Sequence, residues 1–361
     1  MKIGIVTYHN GSNYGAALQT FALQEEVKRN NYEVEIINYK NYFIMKGMQK
    51  IRFEFSIHGI YYFMTDIFNY SARKRKIIKF IEFFKNYSLT KLYNKTELKK
   101  IAFDYDYIIS GSDQIWNPLL NKGYDDIYFG NINTKVNTKK ISYASSVGNY
   151  KLDDKNLNME FKKLVESFEK ISVRENSKKI GEILGKEVEQ VCDPTILLNE
   201  DEWKNKLNIK ETSNKYLLIY HLADEKNIIE IAQRVAELKN LEIYCICKTR
   251  KKYKNIKYFN DIGPKEFVEL FYNASYIITN SFHGTAFSVN FKKQFLSIKH
   301  PKSPQRAETF LKQLGLENRL IKADDIPNDI LEEELAIVTL KLEKIREKSK
   351  NFLKIGGVEN R

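Results

Sequence analysis

Three cysteines in 361 residues are too few for a disulfide framework. Cys192, Cys245 and Cys247 form neither a CxxC pair nor a zinc-ligand spacing, so the thiol shortage points to a reducing compartment. Cys192 and Cys245 sit in apolar, strand-like runs and read as buried structural residues. No apolar stretch is long enough to cross a bilayer. No leader is expected either, because Met1 to Thr7 runs straight into a strand pattern. Internal repeats and low-complexity tracts are absent, and no constellation of metal ligands is visible. Neither a metal nor an organic cofactor is therefore expected. The expected location is the cytoplasm, with at most contact to the inner membrane face.

What is present is globular. Hydrophobic residues make up 43% and charged residues 29%, and the length fits two domains of average size. The net charge of +13 is unevenly spread. The window Asn41 to Lys100 holds thirteen Lys/Arg against four Asp/Glu, hence +9, and fourteen of the forty-five Phe and Tyr residues. Arg73, Lys74, Arg75 and Lys76 lie at its centre. A basic aromatic stretch suits an anionic membrane surface or nucleic acid. The plainer reading is a helical insert with its own aromatic core and a solvated basic face. No nucleic-acid partner is expected, and peripheral membrane contact stays open.

The rest alternates strand and helix. Strands are expected at Lys2–Tyr8, Tyr32–Asn38, Tyr105–Ser110, Lys140–Ala144, Lys170–Val173 and Val188–Cys192, with a helix over Ala16–Arg29. A second series has strands at Tyr216–His221, Leu241–Cys247 and Tyr276–Thr279, with helices at Lys226–Leu238 and Pro264–Tyr272. Leu331–Lys350 reads as a charged amphipathic helix. Alternation of this kind makes parallel sheets covered on both faces. Two Rossmann-like α/β domains are expected: residues 1–200 carrying the insert 41–100, then residues 201–330, followed by the helical tail 331–361.

The unusual residues gather just beyond strand ends. They are His9 to Gly15, Ser110 to Pro118, Ala144 to Gly148, Arg174 to Asn176 and Thr279 to Thr285. Ligands of open α/β sheets bind outside the carboxyl ends of strands, so this joint placement predicts a shared cleft. Each loop alone is an ordinary turn. In the last, the sequence predicts a helix starting near Thr285. Gly284 lets a ligand approach the backbone, and the helix start offers N–H groups to an anion. His283 there suits proton transfer, and equally a neutral turn cap. Arg174 ends a strand, where its fork could grip a carboxylate or phosphate; a salt bridge with Glu175 is the alternative.

Seven segments in order resemble the polysaccharide pyruvyl transferase family: Asn13 to Gln24, Gly111 to Pro118, Ile141 to Gly148, Ser172 to Glu175, Asp193 to Leu197, Gly263 to Phe267 and Thr279 to Thr285. The resemblance runs to about Arg319 and leaves out the basic window and the tail. It implies a fold like that of GT-B glycosyltransferases, with the active site in the interdomain cleft. It also implies phosphoenolpyruvate as donor substrate and a pyruvyl ketal on a sugar of a glycan acceptor, lipid-linked or not. The family's donor-binding arginine matches Arg174 and its active-site histidine matches His283. Many members carry a further basic residue after the strand that follows the histidine loop. Here Lys299, Lys302 or Arg306 could fill that place. Some members have an arginine close to the histidine, where this chain has Ser281 and Phe282.

The expected chemistry adds a sugar hydroxyl to C2 of the enol, protonates C3, releases phosphate and closes a ketal with a second hydroxyl. Arg174 and the helix start at Ser281, Gly284 and Thr285 are assigned to donor anions, together with Lys299 and Arg306. His283 is assigned to proton transfer. Asp113 could orient or deprotonate the acceptor hydroxyl, or simply form a turn. Asn13, Tyr14, Gln114 and Trp116 are assigned to the acceptor, Trp116 by stacking on a sugar face; core packing is its alternative. Two other readings remain. A nucleotide-sugar glycosyltransferase would want a carboxylate after the histidine loop, and Thr285 to Phe295 has none. A non-catalytic glycan-binding protein has no need of Arg174 or His283.

Overall fold

The computed structural model describes residues 1–52, 57–121, 123–222, 226–246, 253–301, 304–322 and 336–356. Cys247, Lys302 and the first residues of the expected tail helix, 331–335, lie outside that set. The chain divides into two compact units. One comprises Met1–Tyr62, Phe84–Leu197 and Ile345–Arg361; the other comprises Phe63–Phe83 and Leu198–Lys344.

The first unit is built on six parallel strands: β1 (Lys2–Val6), β2 (Glu33–Ile36), β3 (Tyr107–Asp113), β4 (Lys139–Ser145), β5 (Phe168–Val173) and β6 (Glu189–Gln190). Their spatial order is β2-β1-β3-β4-β5-β6. All seven residues of β3 are buried, as expected of a central parallel strand covered on both faces. The helix Tyr14–Arg29 lies between β1 and β2, and thirteen of its sixteen residues are buried. A helix buried on nearly every side is a core helix, and its buried Gln19 and Thr20 find partners in Thr7 and Tyr8.

The second unit repeats the architecture with β7 (Tyr216–Tyr220), β8 (Glu242–Ile246), β9 (Ile256–Tyr258), β10 (Tyr276–Thr279), β11 (Gln294–Ile298) and β12 (Leu320–Ile321). All pairs are parallel, in the order β12-β11-β10-β7-β8-β9. β7 and β10 are wholly buried. The expected two Rossmann-like α/β halves are therefore present as two parallel six-stranded sheets with helices.

Details differ from the sequence reading. β9 and β12 went unnoticed because they are short, and the sequence reading marks β11 only as the strand after the histidine loop. β6 spans two residues rather than Val188–Cys192. Beyond it, Cys192 gives its N–H to the Ser349 hydroxyl on the tail helix, at 2.9 Å, so the chain there serves another partner than the ladder. Cys192 and Cys245 are free and buried. Burial pushes the Cys192 thiol up to about 11, which leaves it protonated and unreactive at neutral pH. Within the basic window, Phe63–Phe83 clusters with the second unit. Arg75 pairs with Asp261 at 2.6 Å, Lys79 pairs with Glu266 at 2.8 Å, and Ile77, Phe80 and Phe83 are buried.

Candidate functional site

In the first unit the polar residues converge on the carboxyl ends of β3, β4 and β5. Arg174 directly follows β5 and is 5% exposed. Its Nη1 donates to Asp193 Oδ2 at 2.5 Å, its Nε to Glu175 Oε2 at 3.4 Å, and its Nη2 stands 3.9 Å from Asp113 Oδ1. Asp193 is held in turn by the N–H and hydroxyl of Thr195, at 3.0 and 2.7 Å. Ser146 donates to Glu175. Burial alone would strip Arg174 of its proton more easily, yet Asp193, Glu175 and Asp113 outweigh that penalty and hold its guanidinium above the usual value. Three carboxylates thus surround one buried cation.

The backbone under this cluster is strained. Asp113 and Ala144 have positive φ, 66° and 50°, and so does Asn176 at 60°. Each such non-glycine residue costs about 1–3 kcal/mol and persists only where its surroundings force it. The β4–β5 register shifts between Ser142 and Ser145, a bulge of the kind found beside active sites. Gly148 closes the pattern at φ 62°. A Cβ there would fall 2.1 Å from Gln114 Oε1 and 2.4 Å from Asn117 Nδ2, so only glycine lets those two amides meet, at 3.0 Å.

The acceptor candidates separate. Asp113, whose Oδ1 accepts from the Gln114 N–H at 2.9 Å, shares this end with Gln114. Asn13 caps the helix Tyr14–Arg29 by accepting from the Ala16 N–H, and Tyr14 is buried in its first turn. Trp116 is 0% exposed. It stacks on Phe129 at 5.3 Å and meets Phe161 and Phe168 edge-on, so its ring faces are occupied by the core rather than offered to a sugar.

In the second unit the chemistry lies where β10 meets the helix Phe282–Asn290. That helix starts three residues before the expected Thr285. Ser281 is its cap and accepts from the Gly284 N–H at 3.4 Å, a signal hidden by the bulky Phe282 and His283 that follow it. Its first turn holds no acid, so the positive end of the helix is not neutralised from within. Thr285 is turned inward. Its N–H is the first intrahelical bond, to Ser281 O at 2.9 Å, and its hydroxyl meets Ser297 at 2.8 Å. Gly284 sits so close to Thr279 that a Cβ would fall 2.2 Å from its hydroxyl oxygen. That hydroxyl already donates to Tyr220 O at 2.6 Å and accepts from Ser281 N–H at 3.1 Å.

His283 is 8% exposed in this first turn, its ring 5.3 Å from Phe282. The Arg306 guanidinium lies 5.7 Å from the Phe282 ring centroid. Lys299 pairs with Glu308 at 3.0 Å. Of the basic candidates after β11 that are described, Arg306 is therefore the one packed against the start of the helix. Among the described residues, no group of three or more His, Cys, Asp or Glu side chains could hold a metal ion, and no helix is long and apolar enough to cross a membrane.

The family model for polysaccharide pyruvyl transferases matches residues 13–302, most of the chain. The chain belongs to the polysaccharide pyruvyl transferase family. It is thus a member of a transferase family, and the matched span contains Asp113, Arg174 and His283, while Arg306 falls just beyond it. No curated protein sequence matches the chain significantly. Among solved structures it is similar to UDP-GlcNAc 2-epimerase from Neisseria meningitidis bound to UDP-GlcNAc, at 11% identity over 99% of this chain and 95% of that one, TM-score 0.47. The Methanocaldococcus jannaschii UDP-GlcNAc 2-epimerase gives 14% identity over 97% and 93%, TM-score 0.44. The E. coli heptosyltransferase WaaC with ADP gives 8% over 88% and 99%, TM-score 0.40.

For this pyruvyl transferase family member, sequence reasoning named Glu175 as the alternative partner of Arg174 and missed Asp193 and Asp113. Asp193 and Glu175 were present within the family-like segments Asp193 to Leu197 and Ser172 to Glu175. Nothing in their spacing says that both carboxylates turn onto one guanidinium. Ser112, fully buried beside Asp113, has no hydrogen-bond partner for its hydroxyl among the described residues.

Proposed function

We propose that this chain transfers the enolpyruvyl carbons of phosphoenolpyruvate to two hydroxyls of one sugar in a polysaccharide, leaving a pyruvyl ketal and inorganic phosphate. The observation that carries the reading is the start of the helix Phe282–Asn290, where a titratable ring and a guanidinium meet a helix terminus free of acids. A helix start of this kind attracts anions, and phosphoenolpyruvate is an anion that must also gain a proton at carbon.

In this reading the positive end of the helix and Arg306 attract the donor phosphate, and Ser281 and Gly284 shape the turn. In the first unit Asp193 anchors Arg174 through Nη1, and the guanidinium stands beside Asp113. Asp113 accepts the proton of the first sugar hydroxyl, which adds to C2. His283 delivers a proton to C3, making the methyl group. Phosphate then leaves C2 with the bonding pair, and the second hydroxyl closes the ketal and gives up its proton to the departing phosphate. Atoms and charge balance without an oxidant or reductant.

The test incubates the full chain with phosphoenolpyruvate and candidate polysaccharides, following phosphate release and the mass gain of the glycan. Release of phosphate coupled to a pyruvyl mass gain supports the reading. Transfer from a sugar nucleotide, with phosphoenolpyruvate inert, overturns it.

A further inference from the structure

The helices Ile57–Phe68 and Tyr70–Phe84 belong to neither sheet. Between them the Asn69 N–H donates to Thr65 O at 3.1 Å, and the Arg73 N–H donates to Asn69 O at 2.9 Å, so the helical path carries through Asn69. Along this path, residues 63–83 lie in the second unit. One face is buried, with Asp66, Ile77, Phe80 and Phe83. The opposite face is solvent-exposed and largely apolar. Met64, Ile67 and Phe68 recur at i, i+3 and i+4, and Ile78 and Ile81 continue the stripe about three turns later. Phe68 is 80% exposed, and Ile78 and Ile81 are each 52% exposed. Between the two apolar stretches, on the same side, lies exposed Lys74, and Arg75 beside it is paired with Asp261.

From this face we infer a membrane-contact surface: the helical path through 63–83 lies flat on an anionic lipid bilayer, its apolar side chains among the acyl boundary and its basic turn among headgroup phosphates. The inference is independent of the proposed transfer reaction. The arrangement itself selects lipid over protein. Protein interface cores are depleted of lysine, whereas here Lys74 sits in the middle of the apolar stripe. In-plane amphipathic helices combine large apolar residues with Lys and Arg in this way. Of the segment's five bases, Arg73, Arg75 and Lys79 pair with Asp66, Asp261 and Glu266, and exposed Lys74, in the middle of the stripe, carries the charge that complements anionic headgroups.

Three of the four bases at the centre of the window have partners within the protein, Arg75 through Asp261. Arg73 pairs with buried Asp66 at 3.6 Å, and Lys76 lies over the Phe80 ring. The apolar residues, more than the basic tetrad, face outward.

The experiment uses the full chain and vesicles of phosphatidylcholine with or without phosphatidylglycerol. Flotation of the wild type with the phosphatidylglycerol vesicles is expected, weakened by salt. The double variant Phe68→Asp with Ile78→Asp should bind at least about tenfold more weakly. The single variant Phe68→Trp is the conservative companion. Trp116 and Trp203 are both fully buried, so a blue shift of its emission on adding vesicles reports the stripe itself. Wild-type protein that stays with the aqueous fraction overturns the inference. So does flotation that the double variant retains, or self-association of the wild type in the absence of lipid that the same variant abolishes.

Discussion

The carboxyl ends of the two sheets are built from the same kind of strand yet differ in charge. At the end of β3–β5 a buried arginine is enclosed by Asp113, Glu175 and Asp193 on a strained backbone. At the end of β10 a helix begins with Ser, Phe, His and Gly, no acid lies in its first turn, and Arg306 packs on the Phe282 ring. One end has spent its positive charge on protein carboxylates; the other has kept it. In one fold, then, the first arrangement suits taking a proton from a hydroxyl and the second suits receiving an anion.

The sharpest way to break this comparison is to remove the buried cation. Arg174→Met leaves three carboxylates without their counter-charge and is expected to destabilise the chain by about 3–5 kcal/mol, read by urea unfolding. A variant as stable as wild type would mean that the cluster is not held together by charge. His283→Gln is expected to do the opposite. Its unfolding midpoint should stay near wild type while turnover falls by about 100-fold, equivalent to about 2.7 kcal/mol. Easy unfolding with full specific activity would make His283 a cap. Gly284→Ala should cost about 1–3 kcal/mol, because the added methyl group meets the Thr279 hydroxyl where it bonds Tyr220. Stability unchanged in that variant would show that the turn can yield.

The smallest expected effect is a pH dependence from the first sheet. His9 is buried, with Thr7 O at 3.0 Å from Nδ1 and Asn38 Oδ1 at 3.1 Å from Nε2. Burial lowers its pKa below the ordinary histidine value. A lowered folded-state pKa favours the neutral ring, so its stabilisation is complete above the unfolded value of about 6.5 and is lost as pH falls below that. The midpoint of thermal unfolding should therefore drop between neutral and mildly acidic pH, and His9→Gln should flatten that slope. An equal slope in both proteins assigns it to other groups.

Much of this was legible in the sequence. The alternation of β1, β3, β7 and β10 with apolar helices is strong because buried parallel strands are continuous hydrophobic runs. The loops at their ends announced themselves by Gly, Ser and Asn. The pairing of Arg174 with Asp193 was not legible, because nineteen residues and a strand separate them and only the sheet order β4-β5-β6 brings them together. The fate of Trp116 was left open between sugar and core, and the core holds it through Phe129, Phe161 and Phe168, residues remote in sequence. The early start of the histidine helix escaped because Phe282 and His283 are poor advertisements for a first turn, although Ser281 in front of them is a good one.

The most direct test of the account is a calorimetric titration of phosphoenolpyruvate, and separately of UDP, into the full chain and into Arg306→Ala. The account predicts saturable binding of phosphoenolpyruvate, weakened about tenfold or more by the loss of one charge-assisted contact, and no heat from UDP. Binding of UDP with no response to phosphoenolpyruvate would contradict it.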